Sequence, residues 1–107
     1  MAEKNVIRAE GFELVDASGN VRARLGVDED GSMGLDLYDA SGTLRASLGV
    51  EGNGNTGLDV YSTDGTLRLS VGVEAAGGTG LDLFTDDEEL KASLGIAADG
   101  AAGLDMH

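Results

Sequence analysis

The chain has 107 residues, with 20 acidic against 7 basic side chains and a net charge of -13. That balance repels phosphate backbones and anionic lipid, so nucleic acid and membrane surfaces are not expected partners. Cys, Trp and Pro are absent, aromatics are 4%, and Gly reaches 18; disulfide and thiolate chemistry are excluded, and the apolar content is mostly Leu, Val and Ala.

The first ten residues, MAEKNVIRAE, hold no apolar run. The expectation is cytosolic synthesis, with neither a signal peptide nor a membrane span. Residues 1–10 read as a partial repeat strand, because NVIRA (Asn5 to Ala9) matches the middle of the units that follow. Glu10-Gly11 would then make a two-residue turn that sets Ala9 opposite Phe12, Ile7 opposite Leu14 and Arg8 beside Glu13.

From residue 11 to 107 four gapless units of 23 residues follow, starting at Gly11, Gly34, Gly57 and Gly80, with a truncated fifth at Gly103. Each unit alternates with period two. In the second, Leu35, Leu37, Leu44, Ala46, Leu48 and Val50 are expected on one face and Asp36, Tyr38, Arg45, Ser47 and Gly49 on the other. Turn residues DASG, DASG, STDG and TDDE close a hairpin inside each unit, and Gly- and acid-rich loops such as DEDGSM and EGNGNT join the units. The chain therefore reads as an all-β antiparallel meander of about ten strands; a parallel solenoid is the alternative.

Such a meander presents one long apolar face that a single chain leaves open. Its expected core positions are Leu14, Leu25, Leu35, Leu37, Leu44, Leu48, Leu58, Leu67, Val71, Leu81, Leu83, Leu90 and Leu94. Self-association covers them: three sheets as an intersubunit β-prism, giving a homotrimeric rod, or two as a dimeric sandwich. A small β-barrel binding an apolar ligand is a further alternative.

Counting DASG as a four-residue loop sets Tyr38 opposite Thr43 and Asp36 across from Arg45. The same count places Glu13 across from Arg22, Asp59 from Arg68 and Asp82 from Lys91, an ion-pair ladder expected to fix strand register.

The apolar units, GLDLYDASGTLRASLGV and its copies, resemble in outline the repetitive β-structured shafts of trimeric phage tail fibres and bacterial surface spikes. The resemblance implies a non-enzymatic homotrimeric stalk or spacer, in some cases assembled into virions.

Site chemistry is sparse. The single histidine, His107, is the last residue, so no catalytic site is expected. GGTGLDLF (Gly77 to Phe84) matches the spacing of a calcium β-roll repeat without its nine-residue tandem period, and DEDG (Asp28 to Gly31) resembles a fragment of an EF-hand loop. Weak calcium condensation on acidic loops is the expectation, with a calcium-responsive adhesive module as the second functional reading. No bound cofactor is expected. GNG (Gly52 to Gly54) lacks the lysine and following helix of a phosphate loop. Tyr38, Tyr61 and Phe84 fall at one repeat position, expected to pack along the outer sheet surface.

Overall fold

The computed structural model describes residues 5–107. Nine strands run in chain order through one antiparallel sheet: β1 (Gly11–Val15), β2 (Val21–Val27), β3 (Met33–Tyr38), β4 (Leu44–Val50), β5 (Thr56–Tyr61), β6 (Leu67–Val73), β7 (Thr79–Phe84), β8 (Leu90–Ile96) and β9 (Ala102–Met106). Antiparallel neighbours rule out the parallel solenoid. The sheet is also open: among the described residues each strand packs only on its sequence neighbours, and β1 and β9 do not meet. A closed barrel is thereby excluded for the single chain.

Among the described residues no strand precedes β1. Residues 5–9 carry no strand, and residues 1–4 lie outside the described residues. Glu10 does not turn the chain back; its carbonyl accepts from Val27 N–H at 3.0 Å, extending the β1 edge alongside β2.

Eight turns join the strands, and all share one construction. In Asp39–Gly42 the Gly42 N–H donates to the Asp39 carbonyl (3.0 Å), and the Asp39 N–H donates to the Thr43 carbonyl (3.0 Å). The Asp39 carboxylate accepts from the N–H groups of Ser41 and Thr43, which is why Asp opens the turn. The fourth residue is left-handed, a conformation that favours glycine. Gly42 has φ 88°, and the only non-Gly occupant among the described residues is Glu88, at φ 66°.

Turns begin at residues 16, 28, 39, 51, 62, 74, 85 and 97, so spacings of 12 and 11 alternate. A period-two strand joined by identical turns cannot repeat on an odd number of residues without one unpaired residue per unit. The structure supplies it as a β-bulge near the start of each of β2, β4, β6 and β8. In the second unit Tyr38 pairs with Leu44 while Leu37 pairs with Ala46, leaving Arg45 as the extra residue. Arg22, Arg68 and Lys91 occupy the same place in the other units.

No described residue is fully buried. The radius of gyration is 17.0 Å, against about 13 Å for a compact chain of this length. Accessible surface is 7658 Å², against about 5,500 Å² for a compact monomer of this mass. One chain therefore makes a sheet without a core.

Candidate functional site

Pairing lines the side chains into rows that cross the whole sheet. On one face the central row is Phe12, Leu25, Leu35, Leu48, Leu58, Val71, Leu81, Leu94 and Leu104, each opposite the next. A flanking row on the bulge side runs Leu14, Ala23, Leu37, Ala46, Val60, Leu69, Leu83, Ala92 and Met106. The other flank runs Val27, Met33, Val50, Thr56, Val73, Thr79, Ile96 and Ala102. This face stays open: Leu48 is 44% exposed, Leu94 48% and Leu37 43%. A contiguous apolar surface of this extent exceeds what a soluble monomer ordinarily leaves exposed.

Ten of the thirteen expected core residues lie on this face. Leu44, Leu67 and Leu90 do not. They pair with Tyr38, Tyr61 and Phe84, whose side chains alternate away from the apolar rows. The bulge is the cause: one extra residue between Leu44 and Ala46 moves Leu44 to the opposite side. Val21, paired with Val15 across the first bulge, moves likewise.

The opposite face carries two rows absent from the expected picture. Glycines cross every strand in one line, Gly11, Gly26, Gly34, Gly49, Gly57, Gly72, Gly80, Gly95 and Gly103. Over the last four lies an open trough of about 670 Å³, walled by Glu74 and Ala98. Their recurrence in GLD and LGV is a sequence signal that strand pairing alone converts into a stripe.

Beside the glycines runs the row Glu13, Arg24, Asp36, Ser47, Asp59, Ser70, Asp82, Ser93 and Asp105. The expected ion-pair ladder is therefore corrected. Asp36 faces Ser47, not Arg45, and accepts its hydroxyl at 2.7 Å. Asp59 faces Ser70, not Arg68, and Asp82 faces Ser93, not Lys91, accepting that hydroxyl at 2.8 Å. Glu13 faces Arg24, not Arg22, and there an ion pair does form, at 2.8 Å. Turn and bulge together displace the pairing of these acids by two residues, which keeps them on the outer face and gives each a new partner. The Glu13 contact holds the Arg24 guanidinium above its ordinary pKa through a hydrogen bond and direct attraction.

The bulge arginines reach the next unit instead. Nε of Arg22 donates to the Tyr38 carbonyl at 2.9 Å, Arg45 to Tyr61 at 2.8 Å, and Arg68 to Phe84 at 2.8 Å. Each therefore caps the end of the following strand. Their cationic ends lie 3.9 Å (Arg22–Asp16), 3.8 Å (Arg45–Asp39) and 2.6 Å (Arg68–Asp86) from turn acids, and Lys91 lies 3.7 Å from Glu89. Tyr61 sits half-buried in this strip, and desolvation, with Asp59 nearby, pushes its hydroxyl pKa up.

Turn carboxylates serve the backbone. Asp64 accepts from the Ser62 hydroxyl and from Thr66 N–H, which holds its pKa down at about 2, the Ser62 contact being the larger cause. Asp30, in the EF-hand-like DEDG, accepts from Ser32 N–H and is lowered by that contact. In GGTGLDLF, Gly77 is the left-handed residue of a turn and Thr79–Phe84 is β7. Among the described residues no three His, Asp or Glu side chains converge as metal ligands.

No protein-family model matches this chain, and no curated protein matches it.

Proposed function

We propose that the protein is a non-enzymatic structural module whose chains assemble through the apolar face into a homotrimeric rod, serving as a spacer or fibre-shaft segment. The observation that carries this reading is the uncovered three-row face on a chain with no core of its own. The surface in excess of a compact monomer, about 2,000 Å² per chain, is the size of an obligate interface.

The graded size of the rows supports three copies. Three sheets enclosing a triangular axis bring the centre of each face nearest that axis, while the corners pinch. Every central residue is a large aliphatic or Phe, whereas the flanks include Ala23, Ala46, Ala92, Ala102, Thr56 and Thr79. A flat two-sheet sandwich demands no such gradient.

Inserting a second copy of Gly34 to Thr56 tests the spacer role. Two added strands lengthen a rod by about 9.6 Å at about 4.8 Å per strand, without changing its cross-section. X-ray scattering that shows a wider particle of unchanged length would overturn the reading.

A further inference from the structure

We propose that the seams between neighbouring chains are built by a level-by-level match of charge, the base at the start of each even-numbered strand meeting an acid at the end of the same strand in the next copy. The proposal rests on the self-associating reading above and names how its edges meet.

The observation is the placement of charge on the two long edges of the sheet. Arg22, Arg45, Arg68 and Lys91, four of the chain's seven bases, all sit at bulges near the starts of β2, β4, β6 and β8, along one edge, beside turns that carry acids of their own at Asp16, Asp39, Asp64 and residues 86–89. The opposite edge consists of the turns 28–31, 51–54, 74–77 and 97–100, and it contains acids and no base. Asp28 directly follows β2, Glu51 follows β4 and Glu74 follows β6, while Asp99 lies in the turn after β8. Arg45 and Glu51 are thus two ends of one strand, six residues and about 20 Å apart, too far to pair within a chain.

Rotation about the rod axis leaves each strand at its own height. It brings the bulge edge of one copy against the turn edge of the next, with Arg22 level with Asp28, Arg45 with Glu51, Arg68 with Glu74, and Lys91 with the turn holding Asp99. Turns on one edge sit between those of the other, offset by about one strand spacing of 4.8 Å, so that they interleave. An antiparallel pair of chains does the reverse. It matches edge to like edge, setting Arg45 beside Arg68 and Arg22 beside Lys91, which repel.

The bulge side chains have donors to spare. Nε of each arginine is held by a backbone carbonyl; the separations of Arg22 from Asp16 and of Arg45 from Asp39 are at the limit of an ion pair and these side chains remain 41% and 39% exposed, whereas Arg68 pairs with Asp86 through Nη1 at 2.6 Å and keeps Nη2 for the seam. Alternation along β4 puts Arg45, Ser47, Gly49 and Glu51 on one face, the outer one, where both partners reach the seam.

The test is the double variant Glu51→Arg/Glu74→Arg, at acids that no hydrogen-bonded side chain depends on. Six attractive contacts per trimer become repulsive. Sedimentation equilibrium at about 0.05 M salt should show association weakened roughly fifty-fold or more, with most of the loss recovered at about 0.5 M. In an Arg45→Lys chain, carbodiimide should join positions 45 and 51 between isotope-labelled and unlabelled copies. An association constant unchanged at low salt, or no cross-link between copies at these positions, would overturn the seam while the assembly itself stands. A wild-type chain of single-chain mass would instead remove the reading beneath it.

Discussion

Leu48→Asp and Leu44→Asp form the sharpest paired perturbation, because sequence alternation puts both leucines on one face and the bulge separates them. Leu48 lies mid-row between Leu35 and Leu58 and is 44% exposed in the single chain. Burying a whole leucine is worth about 1.5–3 kcal/mol, so covering the exposed part contributes about 1 kcal/mol per chain, or about 3 kcal/mol per trimer. Aspartate forfeits that and brings carboxylates together in a dry interior, at several kcal/mol each. Dissociation to single chains is the expected outcome at micromolar concentration. Leu44 pairs with Tyr38 on the other face; its replacement should lower thermal stability by about 1–2 kcal/mol and leave the assembled mass unchanged. Sedimentation velocity reads both. If Leu44→Asp dissociates the particle, or Leu48→Asp does not, the assignment of faces is wrong.

Glu88 holds the left-handed turn position that glycine takes elsewhere, at φ 66°; Glu88→Gly should stabilise the fold by about 1 kcal/mol in a denaturant melt, and no gain would show that the turn carries no strain. A Cβ on Gly52 would lie 2.5 Å from the Asp30 backbone oxygen of the adjoining turn, so Gly52→Ala should destabilise by about 1–3 kcal/mol, whereas Gly42→Ala, with open space around it, suffers only from its φ of 88°. The Asp64 carboxyl, with its pKa depressed to about 2, contributes stability that is present above the unfolded value near 4 and is lost as pH falls through about 2. Its carbon chemical shift should titrate there, and Ser62→Ala should move the midpoint upward; an Asp64 midpoint near 4 in the wild type would contradict the hydrogen bonds assigned to it.

Much of the fold was legible because one pattern occurs four times. Period-two alternation in GLDLY and RASLGV, bounded by DASG or DEDG, specifies strands and turns directly, and Leu35, Leu37 and Leu48 fall on the face the alternation assigns. What misled was continuity. Leu44, Arg45 and Ala46 alternate perfectly as letters, and only hydrogen bonding reveals that Arg45 is an inserted residue. The clue was arithmetic: an odd unit of 23 cannot be built from identical turns and period-two strands without one unpaired residue. Arg45 occupies that place because a long donor there can cap the carbonyl of Tyr61, a contact between units that no local pattern displays. Asp36 shows the same limit. An acid three residues before a turn reads as the partner of the base three residues after it, yet the bulge hands it to Ser47.

The number of chains in the particle is read from its mass in solution. Sedimentation equilibrium of the intact chain should give three times 10.8 kDa, independent of loading concentration across the micromolar range. A single species of 10.8 kDa that remains soluble and folded would contradict the account, because the apolar rows would then stand open to water.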